Sequence, residues 1–338
     1  MKTVSLPKVE LHLHLDCNLS YPLVSRLDPD ISFEEYQDKF IAPAKCTDLM
    51  DYLTRVYPAY AYTQTADNLR LVVADLFEQL ATDNVIYAEI RFAPLLHTEQ
   101  GLTPEQVVAV VEQATAESSQ GTGIEARIIL CTLRHYSADE SMQTVRLVEQ
   151  YQGSKVAGFD IAADEAGYPV DAHITAFQYA GERGIPCTAH AGEACGPESV
   201  WETLEQFRPS RIGHGVRSIE DPSLVSQLRE RQIHLEVCPT CNVQTDIFAT
   251  YANHAIDRLY RNGLSVGINT DCRTTSNITL SQEYAKLHET FGWAVQDFYC
   301  CNQNSLQAAF IDDDVRAEIA RKLSDGYATN SEGFLPAS

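Results

Sequence analysis

The chain has 338 residues, 47 of them acidic against 25 lysines and arginines for a formal charge of −22, and it carries ten cysteines. At 44% hydrophobic and 21% charged it has the composition of a folded globular protein, which excludes disordered and collagen-like structure. The acidity and the lack of any basic run exclude nucleic acid and anionic membrane surfaces as partners, since neutralising phosphates takes clustered Lys and Arg.

In chain order, runs of β-branched and aliphatic residues alternate with segments of helical period. The first strand is expected over residues 9–15. Its alternation puts Val9, Leu11, Leu13 and Leu15 on one face, and Glu10, His12, His14 and, just past it, Asp16 on the other. About seventy residues separate this strand from the second, at 85–94, and residues 32–62 within that interval are rich in Phe and Tyr. Residues 17–66 therefore read as a helical cap inserted after strand 1, with a longer helix over 68–81 following it. Six more strands are expected at 126–133, 156–163, 185–191, 211–215, 233–238 and 264–271. Thr103-Pro104 and Asp221-Pro222 mark helix starts, and 142–151 has helical period.

Eight strands alternating with helices predict an α/β fold with a parallel sheet and right-handed crossovers. Eight such units in one chain point to a single (β/α)8 TIM barrel over 1–338 rather than an open doubly wound sheet. The open sheet needs a phosphate loop leaving a strand, and Gly121-Thr-Gly-Ile-Glu-Ala126 leads into one.

No window approaches the ~20 apolar residues of a membrane span. Glu10 interrupts the stretch where a secretory signal needs an unbroken apolar run. A cytoplasmic location is expected, and with it reduced cysteines: Cys17, Cys131, Cys187 and Cys238 lie in or beside apolar runs and read as buried thiols.

The chemistry concentrates at strand ends. On a barrel strand the polar face of residues 10–16 points inward, and two imidazoles two residues apart are costly to bury without a shared ligand, of which a metal ion is the simplest. The fifth strand ends Thr188-Ala-His190-Ala-Gly192-Glu193, where Gly192 permits a sharp turn between a histidine and a carboxylate. The sixth reads Arg211-Ile-Gly213-His214-Gly215, and the eighth ends Asn269-Thr-Asp271. All these ends fall on the one face where barrel active sites are built.

Together with Pro7-Lys-Val-Glu-Leu-His-Leu-His-Leu-Asp16, Asp164-Glu165 and Leu235-Glu-Val-Cys-Pro-Thr240, these segments resemble the adenosine deaminase family of metal-dependent amidohydrolases, in family order through nearly the whole chain. The resemblance implies one Zn2+ per chain held by His12, His14, His190 and Asp271. It implies Glu193 as the catalytic proton shuttle to ring N1, and His214 as the residue that, with Asp271, binds the attacking water and stabilises the developing alkoxide. The substrate would be met by Asp16, at the ribose, by Ala163 and Cys272, at the base, and by His14. A second metal would require a bridging Lys at the end of the fourth strand, which has none.

The implied activity is hydrolytic deamination of adenosine or 2′-deoxyadenosine, with a small purine nucleoside as the partner molecule. The alternatives are a deaminase of adenine or a modified 6-aminopurine, and a non-catalytic purine-binding relative. Four positions depart from the family pattern. Cys17 and Ala163 stand in place of Gly, Cys241 in place of Ser, and Cys272 where a second Asp or an Asn meets purine N7. Cys238-Pro-Thr-Cys241 has no second C-x-x-C and coincides with a family motif, so it reads as pocket wall rather than as a redox pair.

Overall fold

The computed structural model describes residues 2–330. Eight parallel strands form in chain order: β1 (Lys8–His14), β2 (Val85–Phe92), β3 (Glu125–Leu133), β4 (Val156–Ala162), β5 (His190–Ala191), β6 (Arg211–His214), β7 (His234–Val237) and β8 (Ser265–Ile268). They pair in sequence as two four-stranded halves, β1 to β4 and β5 to β8. Single parallel bridges join the halves at both seams, Leu13 to Asp271 and Phe159 to Cys187. Backbone N–H groups carry the ladder across: His14 to the Asp271 carbonyl at 3.0 Å, Asp271 to His12 at 3.1 Å, and Thr188 to Phe159 at 3.1 Å. The ring closes as a (β/α)8 barrel.

Two strands are shorter than their sequence runs. The run over 185–191 yields only His190–Ala191 as ladder, because Pro186 has no N–H to give and contributes only its carbonyl, which accepts from Phe159 N at 3.0 Å. β8 ends at Ile268: the Asn269 N–H still donates to the Val237 carbonyl at 2.9 Å, but toward β1 its side chain takes over from the backbone. Asn269 Oδ1 accepts from Leu11 N at 2.8 Å and from His12 N at 3.0 Å.

Between β1 and β2 lie a turn of 3-10 helix and five helices, α1 (Tyr21–Leu27), α2 (Phe33–Phe40), α3 (Leu49–Leu53), α4 (Tyr57–Tyr60) and α5 (Ala66–Thr82). Their starts are set by side chains that accept otherwise orphaned N–H groups: Ser20 from Leu23, Ser32 in a capping box with Glu35, Asp48 from Asp51, and Thr65 from Asn68. Tyr36, Phe40 and Tyr52 are buried, with the Tyr52 hydroxyl 2.7 Å from Ser276 Oγ, so much of the aromatic run holds α2 and α3 down on the barrel. α3 and α4 line the cavity at the mouth of the barrel. There Cys17, Cys46, Cys238, Cys241 and Cys272 form an apolar cluster with Leu49, Tyr52 and Val56.

Apolar side chains fill the space between strands and outer helices, but the barrel interior beneath the mouth is ionic. Glu89, Arg91, Asp160, Arg211 and Glu236 are all fully buried. Arg91 pairs with Asp160 and Glu236 at 2.6 Å each, and Arg211 with Glu89 at 2.6 Å and Glu236 at 2.7 Å. Buried charges are tolerated only when paired this closely. No helix among the described residues is long and apolar enough to cross a membrane.

Candidate active site

The C-terminal ends of β1, β5, β6 and β8 open into one cavity of about 340 Å3. His12 and His14 both face inward from β1 because strand residues two apart share a face. His12 Nε2 and His14 Nε2 lie 3.2 and 3.3 Å from Asp271 Oδ1, and His14 Nε2 lies 3.2 Å from His190 Nε2. One donor atom from each of these four residues falls within 4.8 Å of the others. His12 Nε2 is buried without a hydrogen-bond partner. An orphaned buried nitrogen aimed at two imidazoles and a carboxylate fits a tetrahedral cation such as zinc.

The rings are held in the metal-binding form. Burial, then the charge of Arg91, pushes His12 well below the usual imidazole range, and burial followed by the neighbouring His190 does the same to His14. Each leaves a lone pair free for a ligand bond. Nδ1 of His12 faces Glu236 Oε2 at 2.9 Å, and Nδ1 of His190 faces Asp160 Oδ2 at 3.1 Å, which turns both Nε2 atoms toward the common centre. Burial alone would raise these two carboxyls, but His190 and Arg91 hold Asp160 down at about 2, and Arg91 and Arg211 hold Glu236 at about 2.

Beside the cluster, His214 Nε2 lies 3.6 Å from Glu193 Oε2. Burial, then the charges of Asp271 and Glu165, raises the Glu193 carboxyl well above its ordinary value, the direction a proton donor needs. Glu193 reaches the site because Gly192 turns the chain at φ +66°, where a Cβ would stand 2.5 Å from Val200 Cγ2. The loop is pinned by Glu165, whose carboxylate accepts from the N–H groups of Gly192 at 2.7 Å, Glu193 at 3.0 Å and Cys195 at 2.9 Å, and from Ser199 Oγ at 2.5 Å. Eight non-glycine residues among those described have positive φ, and three of them, Ala163 (77°), His214 (61°) and Asp271 (64°), belong to this site. Such strain concentrates where geometry serves function.

The expected substrate contacts also line the cavity. Asp16 is buried, with Oδ2 3.7 Å from His97 Nε2, and Ala163 and Asp164 follow β4. One expectation is corrected. Cys17 is not a reduced thiol, and Cys272 has no S–H to offer, because the two form a disulfide with their Cα atoms 5.3 Å apart. The closing seam brings the ends of β1 and β8 together, and the side chains after Asp16 and Asp271 meet there. Cys131, Cys187, Cys238 and Cys241 are buried free thiols, as expected for the first three.

Residues 7–326 match the family model described as adenosine deaminase. The chain belongs to the adenosine deaminase family. An adenosine deaminase of Clostridium acetobutylicum is 32% identical over 327 residues, 95% of this chain and 98% of that protein. The crystal structure of an adenine deaminase from Arthrobacter aurescens superposes with a TM-score of 0.86 at 27% identity, over 95% of this chain and 98% of that one. The Arabidopsis protein ADAL, solved in complex with IMP, shares the fold at 22% identity with a TM-score of 0.85 over 97% and 99% of the two chains. The family makes this protein a hydrolytic deaminase.

Sequence motifs assign no role to several residues of the site, although Glu165 and Glu236 lie within segments that resemble the family. Arg91, Asp160 and Glu236 orient the imidazoles, Glu165 holds the Glu193 loop, and Asn242 lies 3.0 Å from His214. The available signal is a charged residue at an inward position of an otherwise apolar strand, as in Tyr87-Ala-Glu-Ile-Arg91 or Gly158-Phe-Asp160.

Proposed function

We propose that the protein is a one-zinc deaminase that converts adenosine and 2′-deoxyadenosine to the inosine product and ammonia, with residues 17–66 as the cap of a single hydrolase barrel. The observation that carries this reading is the convergence of a four-donor cluster, the Glu193 carboxyl and His214 in one cavity. His12, His14, His190 and Asp271 would hold the ion, which when bound supplies a water acidic enough to attack at neutral pH. Glu193 delivers its proton to ring N1 as C6 is attacked, so that the loss of aromaticity is compensated in step. His214 donates toward the oxygen on which charge develops. Asp16 takes the ribose hydroxyls, and the Ala163 N–H faces purine N3.

A nucleoside fits better than a nucleotide. Asp16, Asp164, Glu193 and Asp271 line the cavity, and no Lys or Arg among the described residues does. A 5′-monophosphate, with about two negative charges, would enter an acidic pocket with no guanidinium or ammonium to pair with. A second reading, a modified 6-aminopurine nucleoside, is favoured by the Cys17–Cys272 disulfide, which offers no donor where purine N7 is expected.

A panel of adenosine, 2′-deoxyadenosine, adenine, AMP and N6-modified nucleosides on zinc-loaded protein, followed by ultraviolet absorbance, tests the reading. The highest kcat/KM is expected for adenosine or deoxyadenosine. A preference for adenine or AMP overturns the nucleoside assignment, and absence of ammonia release from every member overturns the enzyme.

A further inference from the structure

We propose that Asn242 and His254 are positioning residues that fix the tautomer of His214, placing its single ring proton on Nε2, the nitrogen that faces the reaction. The proposal rests on the deaminase reading for its consequence, and on hydrogen-bond logic for its substance.

The backbone N–H of Ile256 points at His254 Nδ1 from 3.1 Å. A peptide N–H only donates, so His254 Nδ1 accepts and bears no proton. The ring is buried and burial holds it down at about 3, so it is neutral and its one proton sits on Nε2. His254 Nε2 lies 3.3 Å from Asn242 Oδ1 and donates to it, which orients the amide with its oxygen toward His254 and its NH2 toward His214. Asn242 Nδ2 lies 3.0 Å from His214 Nδ1. An amide NH2 also only donates, so His214 Nδ1 is the acceptor and Nε2 carries the proton.

The chain of donors runs one way, from Ile256 N–H through His254 and Asn242 to His214. His254 is 2% exposed, Asn242 0% and His214 1%, so bulk water has little access to reverse the sense of a link. The Asn242 backbone is fixed, because its main-chain carbonyl accepts from Ile247 N at 3.1 Å and Phe248 N at 3.3 Å, and the Phe248 ring packs on His254 with centroids 4.6 Å apart.

The other tautomer would fail in two ways. A bare Nε2 could not donate to an oxygen developing negative charge. It would also be a free imidazole donor within a second possible metal group, His12, His214, Cys238 and Asp271. Protonated at Nε2, His214 stays out of the coordination shell and is available to the reaction, while His12, His14 and His190 are ligands.

The test is long-range proton–nitrogen NMR on 15N-histidine-labelled, zinc-loaded protein, with the His214 signals assigned by their loss in His214→Gln. The wild type is expected to show an Nε2–H ring at His214. Asn242→Asp replaces the donor with an acceptor and should move the proton to Nδ1, lowering kcat on adenosine about 100-fold, as loss of a transition-state donor does, with KM changed far less. Zinc content by elemental analysis should stay at one per chain. His254→Phe, which frees the amide to turn over, should give mixed tautomers and an intermediate kcat. An Nδ1–H ring in the wild type, or an unchanged tautomer in folded Asn242→Asp and His254→Phe alike, overturns the proposal. The NMR result needs no substrate, so a protein with the expected tautomer that deaminates nothing would refute the enzyme reading and leave the relay standing.

Discussion

Arg91 and Glu236 meet at 2.6 Å, through the same Glu236 oxygen that faces His12 Nδ1 at 2.9 Å. The other arm of the guanidinium reaches Asp160, also at 2.6 Å, and Asp160 faces His190 Nδ1. One planar fork thus braces the orienting carboxylates of two proposed ligands on opposite halves of the barrel. A Lys cannot span both acceptors. Arg91→Lys is expected to weaken zinc about 10- to 100-fold, the usual cost of disturbing the groups behind metal ligands. Competition with a fluorescent chelator measures it, and unchanged affinity in a folded variant removes the bracing role.

Ala163 holds φ +77° at the end of β4. The left-handed region strains any residue with a Cβ, whereas glycine enters it freely but loses more entropy on folding. Ala163→Gly should therefore stabilise the protein by about 0.5–1 kcal/mol, seen as a higher urea midpoint with an unchanged slope. A lower midpoint would show that the methyl group packs better than its backbone strain suggests.

The Cys17–Cys272 disulfide predicts a thiol count. Ten cysteines less one pair leaves eight, so denatured, unreduced protein should titrate eight thiols, and reduced protein ten. Reduction should lower stability by about 2–4 kcal/mol, because the link constrains the unfolded chain. Ten thiols before reduction would contradict the pairing.

His234 gives a pH dependence with a definite sign. The ring is buried, its Nδ1 2.8 Å from Ser265 Oγ, and burial holds it at about 3. An unfolded histidine titrates near ~6.5. Between these values the unfolded chain takes up a proton that the folded chain refuses. Stability contributed in full above the unfolded value is therefore lost as pH falls, at about 1.4 kcal/mol per pH unit. Metal-free His234→Gln should lose stability less steeply than wild type between roughly pH 6 and 4.5, where the unfolded ring holds a proton and the folded ring does not. Urea melts across that range measure the difference, and parallel slopes would sink the assignment.

The first four strands are legible in the sequence because each is a run of aliphatic and β-branched residues bounded by turn residues. β5 is the instructive shortfall, where Pro186 removes a ladder donor inside an otherwise convincing run. The convergence of His12, His14, His190 and Asp271 is legible for a local reason: each sits at the end of a strand, and all those ends share one face. The residues behind them are not legible. Arg91 lies 69 and 145 residues from its two carboxylates, and nothing in the spacing links them until the barrel is built. Cys17 and Cys272 are separated by 255 residues, so an argument from compartment and composition cannot see that the closing seam brings them together.

That seam has a mechanical consequence. The backbone ladders of the two four-stranded halves meet in one bridge at each edge, with buried ion pairs such as Arg91–Glu236 and Arg211–Glu89 crossing between them, while the proposed ligands are divided, His12 and His14 on the first half, His190 and Asp271 on the second. An ion at their centre would be one more rivet through two plates, sheared if the halves were pried apart. The cofactor that equips the site for chemistry would thereby also hold the barrel shut.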